Sequence, residues 1–459
     1  MGLLCHGTGH AGRLRSEGLT EPAAAARGQR GLGAGAMTLP GAPFLERVDG
    51  ELRLEGHALA ALAREFGTPL FVYSRSAMRT AFAAYETALA GRPHLVCYAM
   101  KANSNLAVLQ TFAQAGAGFD IVSGGELARV LAAGGEASRV VFSGVGKSRA
   151  EMRQALLAGV RCFNVESEAE LDTLDEVARS VGRRAPVSLR VNPDVDAGTH
   201  PYISTGLKGN KFGIAHGQAL AAYRHAASLP GLQVLGIDCH IGSQITQLAP
   251  YLDALDRMLD LVEAVEAAGI PIHHVDVGGG LGITYTDETP PDAGVMVQTL
   301  LARLDERDHG HREVLFEPGR SLVGNAGVLL TEVMVLKPGE EKNFCIVDAA
   351  MNDLVRPAMY EAWMGIEPCV QRAGAANTWD VVGPICESGD WLGRERTLCV
   401  QPGDHLAVLS AGAYGMAMAS NYNSRPRAAE VMVDGARVHL VRERESVTAL
   451  YADDRLIGR

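Results

Sequence analysis

Residues 94–110 read HLVCYAMKANSNLAVLQ: a strand-length apolar run, LVCYAM, ends in Lys101 and gives way to a short polar turn and a helix-like stretch. Seven more runs of this kind follow: GFDIVS (118–123), RVVFSG (139–144), RCFNVES (161–167), PVSLRVNP (186–193), VLGIDCHIGS (234–243), HHVDVGGG (273–280) and EVLFEPG (313–319). Helical stretches such as ELARVLAAG and EAELDTLDEVARSVG separate them. Three helix starts carry Ser with Glu three residues on (Ser123 and Glu126, Ser148 and Glu151, Ser167 and Glu170), the capping-box spacing that satisfies free amides. Strands alternating with helices imply a parallel sheet. Eight such units predict an α/β fold closed as a (β/α)8 barrel, with an open doubly wound sheet as the alternative.

Barrel chemistry gathers on the face where strands end. The residues predicted there are Lys101, Asp120, Ser123, Ser143, Asn192, His240, Ser243, the glycines 278–280 and Glu317, a convergence of polar groups that a structural barrel does not require. After residue 320, VLLTEVMVLK, NFCIVDAA, HLAVLSAGAY and AAEVMVDG are strand-like and lack long helices between them, which predicts a β-rich second domain, sandwich- or barrel-like. The division expected is an extension over 1–36, an N-terminal segment over 37–70 packing with the β-rich domain, the barrel over 71–319 and the β-rich domain over 320–459.

The whole chain has 459 residues, 47% hydrophobic and 21% charged, ordinary for a globular enzyme of two domains. A net charge of -11 argues against nucleic acid or an anionic membrane as partner. No apolar run approaches the ~20 residues that cross a bilayer. The eight cysteines (5, 97, 162, 239, 345, 369, 386 and 399) are scattered without a C-x-x-C pair, which suits reduced thiols in the cytoplasm better than disulfides or a metal site. Residues 1–36, rich in Gly, Ala and Arg, lack the apolar core of a secretory signal and are expected to be disordered, with Met37 as a candidate start.

Gly278, Gly279, Gly280 and Gly282 follow the seventh strand; such a run lets amides approach a phosphate, and serves a plain tight turn equally well. Lys101 can form a Schiff base if its amine loses its proton, which a partly apolar pocket favours; a solvated surface lysine is the plainer reading. Taken together, an amine and a phosphate loop on one rim point to pyridoxal phosphate. Glu317, in EPGR, would then face the ring nitrogen and keep it protonated, or else simply pair with Arg320. His240 can stack on a flat ring or serve as a hydrogen-bonded strand end, and Ser243 can add a hydroxyl to the phosphate. An ordinary thiol holds its proton at neutral pH, so Cys386 in CESGD reads as a proton donor or as a small core residue. Tyr414 offers a hydroxyl for the phosphate or a packed ring.

In order along the chain, YAMKAN, HIGSQ, VDVGGGLG, EPGR, RPAMY, CESGD and GAYG occur. Through these seven motifs the chain resembles, over about residues 40 to 455, the fold-type III pyridoxal-phosphate-dependent decarboxylases, and within them the diaminopimelate decarboxylases, lyases that complete lysine biosynthesis. The resemblance implies that Lys101 carries the cofactor. It implies cofactor contacts from Gly280 and from Glu317, Pro318, Gly319 and Arg320, with Arg320 also reaching substrate. It places Arg356 and Tyr360 on the substrate's distal end, makes Cys386 the proton donor, sets Glu387 on substrate and Tyr414 on both ligands. It further implies a homodimer in which the partner supplies the CESGD loop, and reaction at the D centre of meso-2,6-diaminopimelate.

Charge favours that substrate: two arginines suit a distal carboxylate and Glu387 an ammonium, whereas ornithine ends in a bare ammonium that two arginines would repel. Gly198 stands where relatives often carry histidine, while His200 and the rest of HPYISTGLKGNKFGI keep the pattern. The rival readings are decarboxylation of ornithine, lysine or arginine, an alanine racemase, which would not explain CESGD, and a non-catalytic cofactor carrier, which would not need the β-rich domain.

Overall fold

The computed structural model describes residues 39–196 and 210–458. The N-terminal extension and both Gly198 and His200 lie outside them.

All eight expected runs are strands, in the order His94–Ala99, Gly118–Ile121, Val140–Phe142, Cys162–Val165, Ala185–Asn192, Leu232–Asp238, His274–Asp276 and Glu313–Phe316. Each pairs in parallel with the next. The ring closes where Val314–Phe316 pair with His94–Val96, so the sheet is a barrel and not an open one. A short extra strand, Ile214–Ala215, leans on the fifth.

Side-chain alternation explains what the barrel holds. Val96, Tyr98, Phe119, Phe142, Phe163 and Phe316 join the large core shared with the surrounding helices, as in the close Tyr98–Phe112 ring pair at 4.3 Å. The alternate positions Leu95, Cys97, Val141, Cys162 and Leu315 form a separate small cluster. Carried toward the strand ends, that second register becomes polar: Asp120, Asn164, Arg190, Asp238, Asp276 and Glu317 are all buried. A greasy floor thus supports a charged upper interior.

The three Ser-x-x-Glu starts all cap helices, through amide bonds to Ser123, Ser148 and Ser167. Only Ser148 and Glu151 make the full reciprocal box. Glu126 instead accepts from Val122 N, and Glu170 from Glu166 N, one residue ahead of the cap in each case, fastening the strand end to the helix.

The second sheet has nine strands organised on Gly327–Lys337. Its first half pairs with Leu70–Ser74 on one side and His405–Val408 on the other; after an irregularity between Val333 and Val335 it pairs with Phe344–Val347. Leu70–Ser74 is central here, paired also with Ala429–Asp434, so the division expected at residue 71 would cut through a strand of the β-rich unit. Sequence order alone hid this, because that strand's neighbours lie more than 250 residues downstream. The small sheet Leu45–Val48, Glu51–Leu54 and His57–Ala58 leads into a helix whose apolar face, with Leu45, Leu52 and Leu54, buries against Leu70, Val72, Val328, Leu330 and Val431. Among the described residues, no helix is long and apolar enough to cross a membrane.

Candidate active site

A cavity of about 360 Å³ opens where the barrel's strand ends meet the second sheet. Lys101, His240, Ser243, Gly280, Glu317, Gly319, Arg320, Arg356, Tyr360 and Tyr414 line it, so ten of the expected site residues converge.

Lys101 sits in a single 3-10 turn just past the first strand, and its side chain is 40% exposed, enough to face the cavity. Its Nζ lies 2.9 Å from Asp120 Oδ2. Burial lowers the ammonium's affinity for its proton, but Asp120, then Glu317 and Tyr414, more than offset this and leave it raised. The expectation that an apolar pocket frees the amine is therefore corrected: carboxylates surround it and hold the proton on. Asp120, an inward position on the second strand, is the residue that the sequence reading placed on the rim without giving it a task.

Glu317 does not pair with Arg320. Its Oε1 accepts from Asn164 Nδ2 at 3.1 Å, across the barrel. Asp238, Asp276 and Glu317 bring carboxylate oxygens within 4.8 Å of one another. Burial, then the charges of Asp120, Asp276 and Asp238, push the Glu317 carboxyl well above the usual range. Burial likewise raises Asp276 to about 7, against the pull of the Gly278 amide. These neighbours make Glu317 a strong acceptor for any protonated ring nitrogen brought beside it.

The HIGSQ turn and the glycine loop are clamped together. Gln244 donates to Ile283 O and accepts from Ile283 N, Ile245 N donates to Gly280 O, and Gly282 N donates to Ile245 O. Gly278 N is taken by Asp276 and Gly279 N by His240 Nδ1 at 3.2 Å. Of the three glycines only Gly280 reaches the cavity wall; its φ of +104° suits glycine, and a Cβ there would strike Gly242 O. Gly278 and Gly279 shape the loop from behind, and Pro318 spends its carbonyl on Ala99 N, so these three expected cofactor contacts do not line the cavity. Burial, with Arg190 and Lys101 adding, pushes His240 well below its ordinary value, leaving a flat neutral ring.

Arg320 and Arg356 are buried, 5% and 7% exposed, and neither has a carboxylate partner among the described residues. Arg320 donates to Ser243 Oγ at 3.0 Å and lies 4.9 Å from the Tyr414 ring centre, while its Nε has no partner. Both arginines also donate to Tyr285 Oη, from 2.5 and 2.8 Å. Burial pushes Arg356 down, with the Arg320 charge adding to that. Tyr285, Gln244, Glu288 and Trp363 line the cavity without having been singled out; the signal for Tyr285 was its place five residues after Gly280 in the phosphate-type loop.

Cys386 and Glu387 stand apart. Both are exposed, and neither lines the cavity of its own chain. Cys386 N donates to Asn423 Oδ1 at 3.1 Å, and Glu387 accepts from Tyr422 Oη at 2.5 Å.

Residues 75–324 match the family described as pyridoxal-dependent decarboxylase, pyridoxal binding domain. Over 409 residues the chain is 60% identical to the diaminopimelate decarboxylase of Pseudomonas aeruginosa, covering 89% of this chain and 98% of that one. The chain belongs to the diaminopimelate decarboxylase family. Solved structures agree: the Helicobacter pylori member complexed with L-lysine is 40% identical with a TM-score of 0.82, covering 86% of this chain and 98% of that one. The M. jannaschii member in co-complex with L-lysine is 38% identical with a TM-score of 0.87, covering 91% and 99%. The cofactor of this family fits the residues present: an amine on one wall, a buried carboxylate opposite, a hydroxyl and a glycine wall for a phosphate, and an unpartnered buried Arg320 Nε.

Proposed function

We propose that the protein decarboxylates meso-2,6-diaminopimelate at its D centre, giving L-lysine and carbon dioxide in the last step of lysine biosynthesis, in the cytoplasm and as a homodimer. The observation that carries this is the pair Arg320 and Arg356, two buried cations with no carboxylate partner among the described residues, on the cavity that also holds Lys101 and Glu317. Buried unpaired charge is costly, so such a pair is retained where a ligand brings the anion.

When bound, pyridoxal phosphate supplies an aldehyde for amines and a ring that accepts the electrons released as carbon dioxide leaves. Lys101 Nζ would carry the cofactor after giving up the proton that Asp120 stabilises; Asp120 Oδ2, 2.9 Å away, orients that amine. Glu317 would stand opposite the ring nitrogen and hold a proton there, its own basicity set by the neighbouring carboxylates. His240, which lines the cavity as a neutral imidazole, would cover one face of that ring. Ser243, Gly280, Gly319 and Tyr414 would hold the phosphate, with Gly278, Gly279 and Pro318 shaping that wall. Arg320, Arg356 and Tyr360 bind the distal carboxylate and so direct the other end to the reacting position. The partner subunit's Cys386 protonates the α-carbon, and the partner subunit's Glu387 meets the distal ammonium, which accords with the exposure of both in their own chain.

The test is carbon dioxide release from meso-diaminopimelate, lysine, ornithine and arginine, with pyridoxal phosphate added. Diaminopimelate should be turned over with the others at least 10²-fold slower, as expected for substrates that leave two buried guanidinium groups unpaired; faster release from ornithine or lysine would overturn the reading.

A further inference from the structure

Tyr285 belongs to a loop fastened from below. Glu288 Oε2 accepts from Tyr285 N at 2.9 Å, Thr286 N at 2.7 Å and Thr286 Oγ1 at 3.1 Å, while Thr284 Oγ1 closes the same turn on Glu288 O. The phenol is thereby fixed, 6% exposed, in the cavity wall. A phenol oxygen has two lone pairs and one proton. Here the lone pairs are engaged by Arg320 Nη1 and Arg356 Nη1, and both guanidinium carbons also lie against the ring, at 5.9 and 5.0 Å from its centre. Among the described residues no acceptor takes the O–H. With its lone pairs engaged by the arginines, the oxygen keeps its one proton free to donate to a ligand in the cavity that Tyr285, Arg320 and Arg356 all line.

We propose that Tyr285 is a specificity-determining residue: its oxygen holds Arg320 and Arg356 side by side, and its O–H is the third donor to the distal carboxylate of the substrate. This rests on the function proposed above. The two arginines alone would repel each other and splay; a shared neutral acceptor fixes their spacing without cancelling their charge, as an aspartate or glutamate in its place would. The receptor therefore presents two charged donors and one neutral donor to a carboxylate, and offers a bare ammonium nothing.

The test compares the unaltered holoenzyme with Tyr285→Phe. L-lysine retains the distal carboxylate and cadaverine lacks it, so both serve as probes, their binding followed through the cofactor's absorbance. Tyr285→Phe should weaken L-lysine about 10- to 100-fold, the worth of a hydrogen bond to a charged group, and raise KM for diaminopimelate similarly with kcat within about threefold. Cadaverine binding and pyridoxal phosphate affinity should not change, and the latter also reports that the variant is folded. Unchanged L-lysine binding would overturn the proposal, as would equal weakening of both probes. A second variant, Tyr285→Gln, keeps an acceptor and a donor and should recover part of the L-lysine affinity lost in Tyr285→Phe; no recovery would overturn the role given to the oxygen. If diaminopimelate is not a substrate of the unaltered enzyme, the function proposed above fails, while the contrast between L-lysine and cadaverine still reads the carboxylate receptor.

Discussion

The barrel rim and the CESGD loop carry equally conspicuous motifs, yet the chain treats them in opposite ways. On the rim, Lys101, the pair Glu317 and Arg320, and Tyr414 arrive from three segments and meet in one cavity, with Lys101 held by Asp120, Glu317 by Asn164, and Arg320 by Ser243 and Tyr285. On the loop, Cys386 and Glu387 are exposed; Cys386 N donates to Asn423 and the Glu387 carboxylate accepts from Tyr422, neither of which lines the cavity. The rim is complete in the sense that every wall is present; the loop has chemistry and no site. A proton donor kept away from its own cavity makes sense when a second copy presents it.

The strongest blow to that contrast is Lys101→Ala. It should abolish both activity and the absorbance of the bound cofactor; an unchanged spectrum would move the anchoring amine elsewhere. Next comes Cys386→Ala, expected to slow lysine formation on the order of 10²–10⁴-fold, the usual worth of a general acid, with the cofactor spectrum intact. Mixing these two inactive variants sharpens the comparison further. If the rim of one copy works with the loop of another, half of the randomly exchanged dimers hold one complete site, and roughly a quarter of full activity returns. A mixture that stays inactive after subunit exchange would place Cys386 on its own rim. Arg356→Ala should then raise KM for diaminopimelate about 10²-fold, as for loss of charge-assisted hydrogen bonds, while leaving cofactor affinity unchanged. Equal losses in both would mean that Arg356 serves the cofactor.

The barrel is legible because alternation is local: each run of six to ten residues declares its strand, and the polar residue at its end declares the rim. Lys101, His240 and Glu317 could be read this way. What could not be read was the company they keep. Asp120 and Lys101 are nineteen positions apart and looked like two unrelated strand ends, so the proton was expected off the amine where the structure holds it on. Gly278 and Gly279 read as phosphate contacts, but their amides are spent on Asp276 and His240, a choice that depends on folded geometry. Leu70–Ser74 read as the barrel's beginning because its partners in the second sheet lie far downstream. For Tyr285 the sequence offers only its place five residues after Gly280; its task shows once two arginines from other segments are seen to share its oxygen.

The contrast between rim and floor yields the smallest effect and a separate kind of test. His274 opens the seventh strand on the same register as Asp276, buried, with its Nε2 unpartnered and its ring filling the space left by Gly236. Burial, with Arg161 and His273 adding, pushes it down to about 3. The folded state thus keeps a neutral imidazole while the unfolded chain takes up a proton near pH 6.5. A depressed histidine stabilises fully above the unfolded value, and that stability is lost as pH falls from about 6.5 toward 3. Between pH 7 and pH 5 the loss from this one group is about 2 kcal/mol. In urea unfolding across that range, His274→Gln should flatten the pH dependence by this amount, whatever it does to stability at pH 7, and should leave kcat/KM near pH 8 within about twofold because no rim residue depends on it. An unaltered slope would mean that the imidazole titrates normally in the fold. A fall in kcat/KM would mean that the floor communicates with the carboxylates above it, and the division between a supporting base and a reactive rim would have to be redrawn.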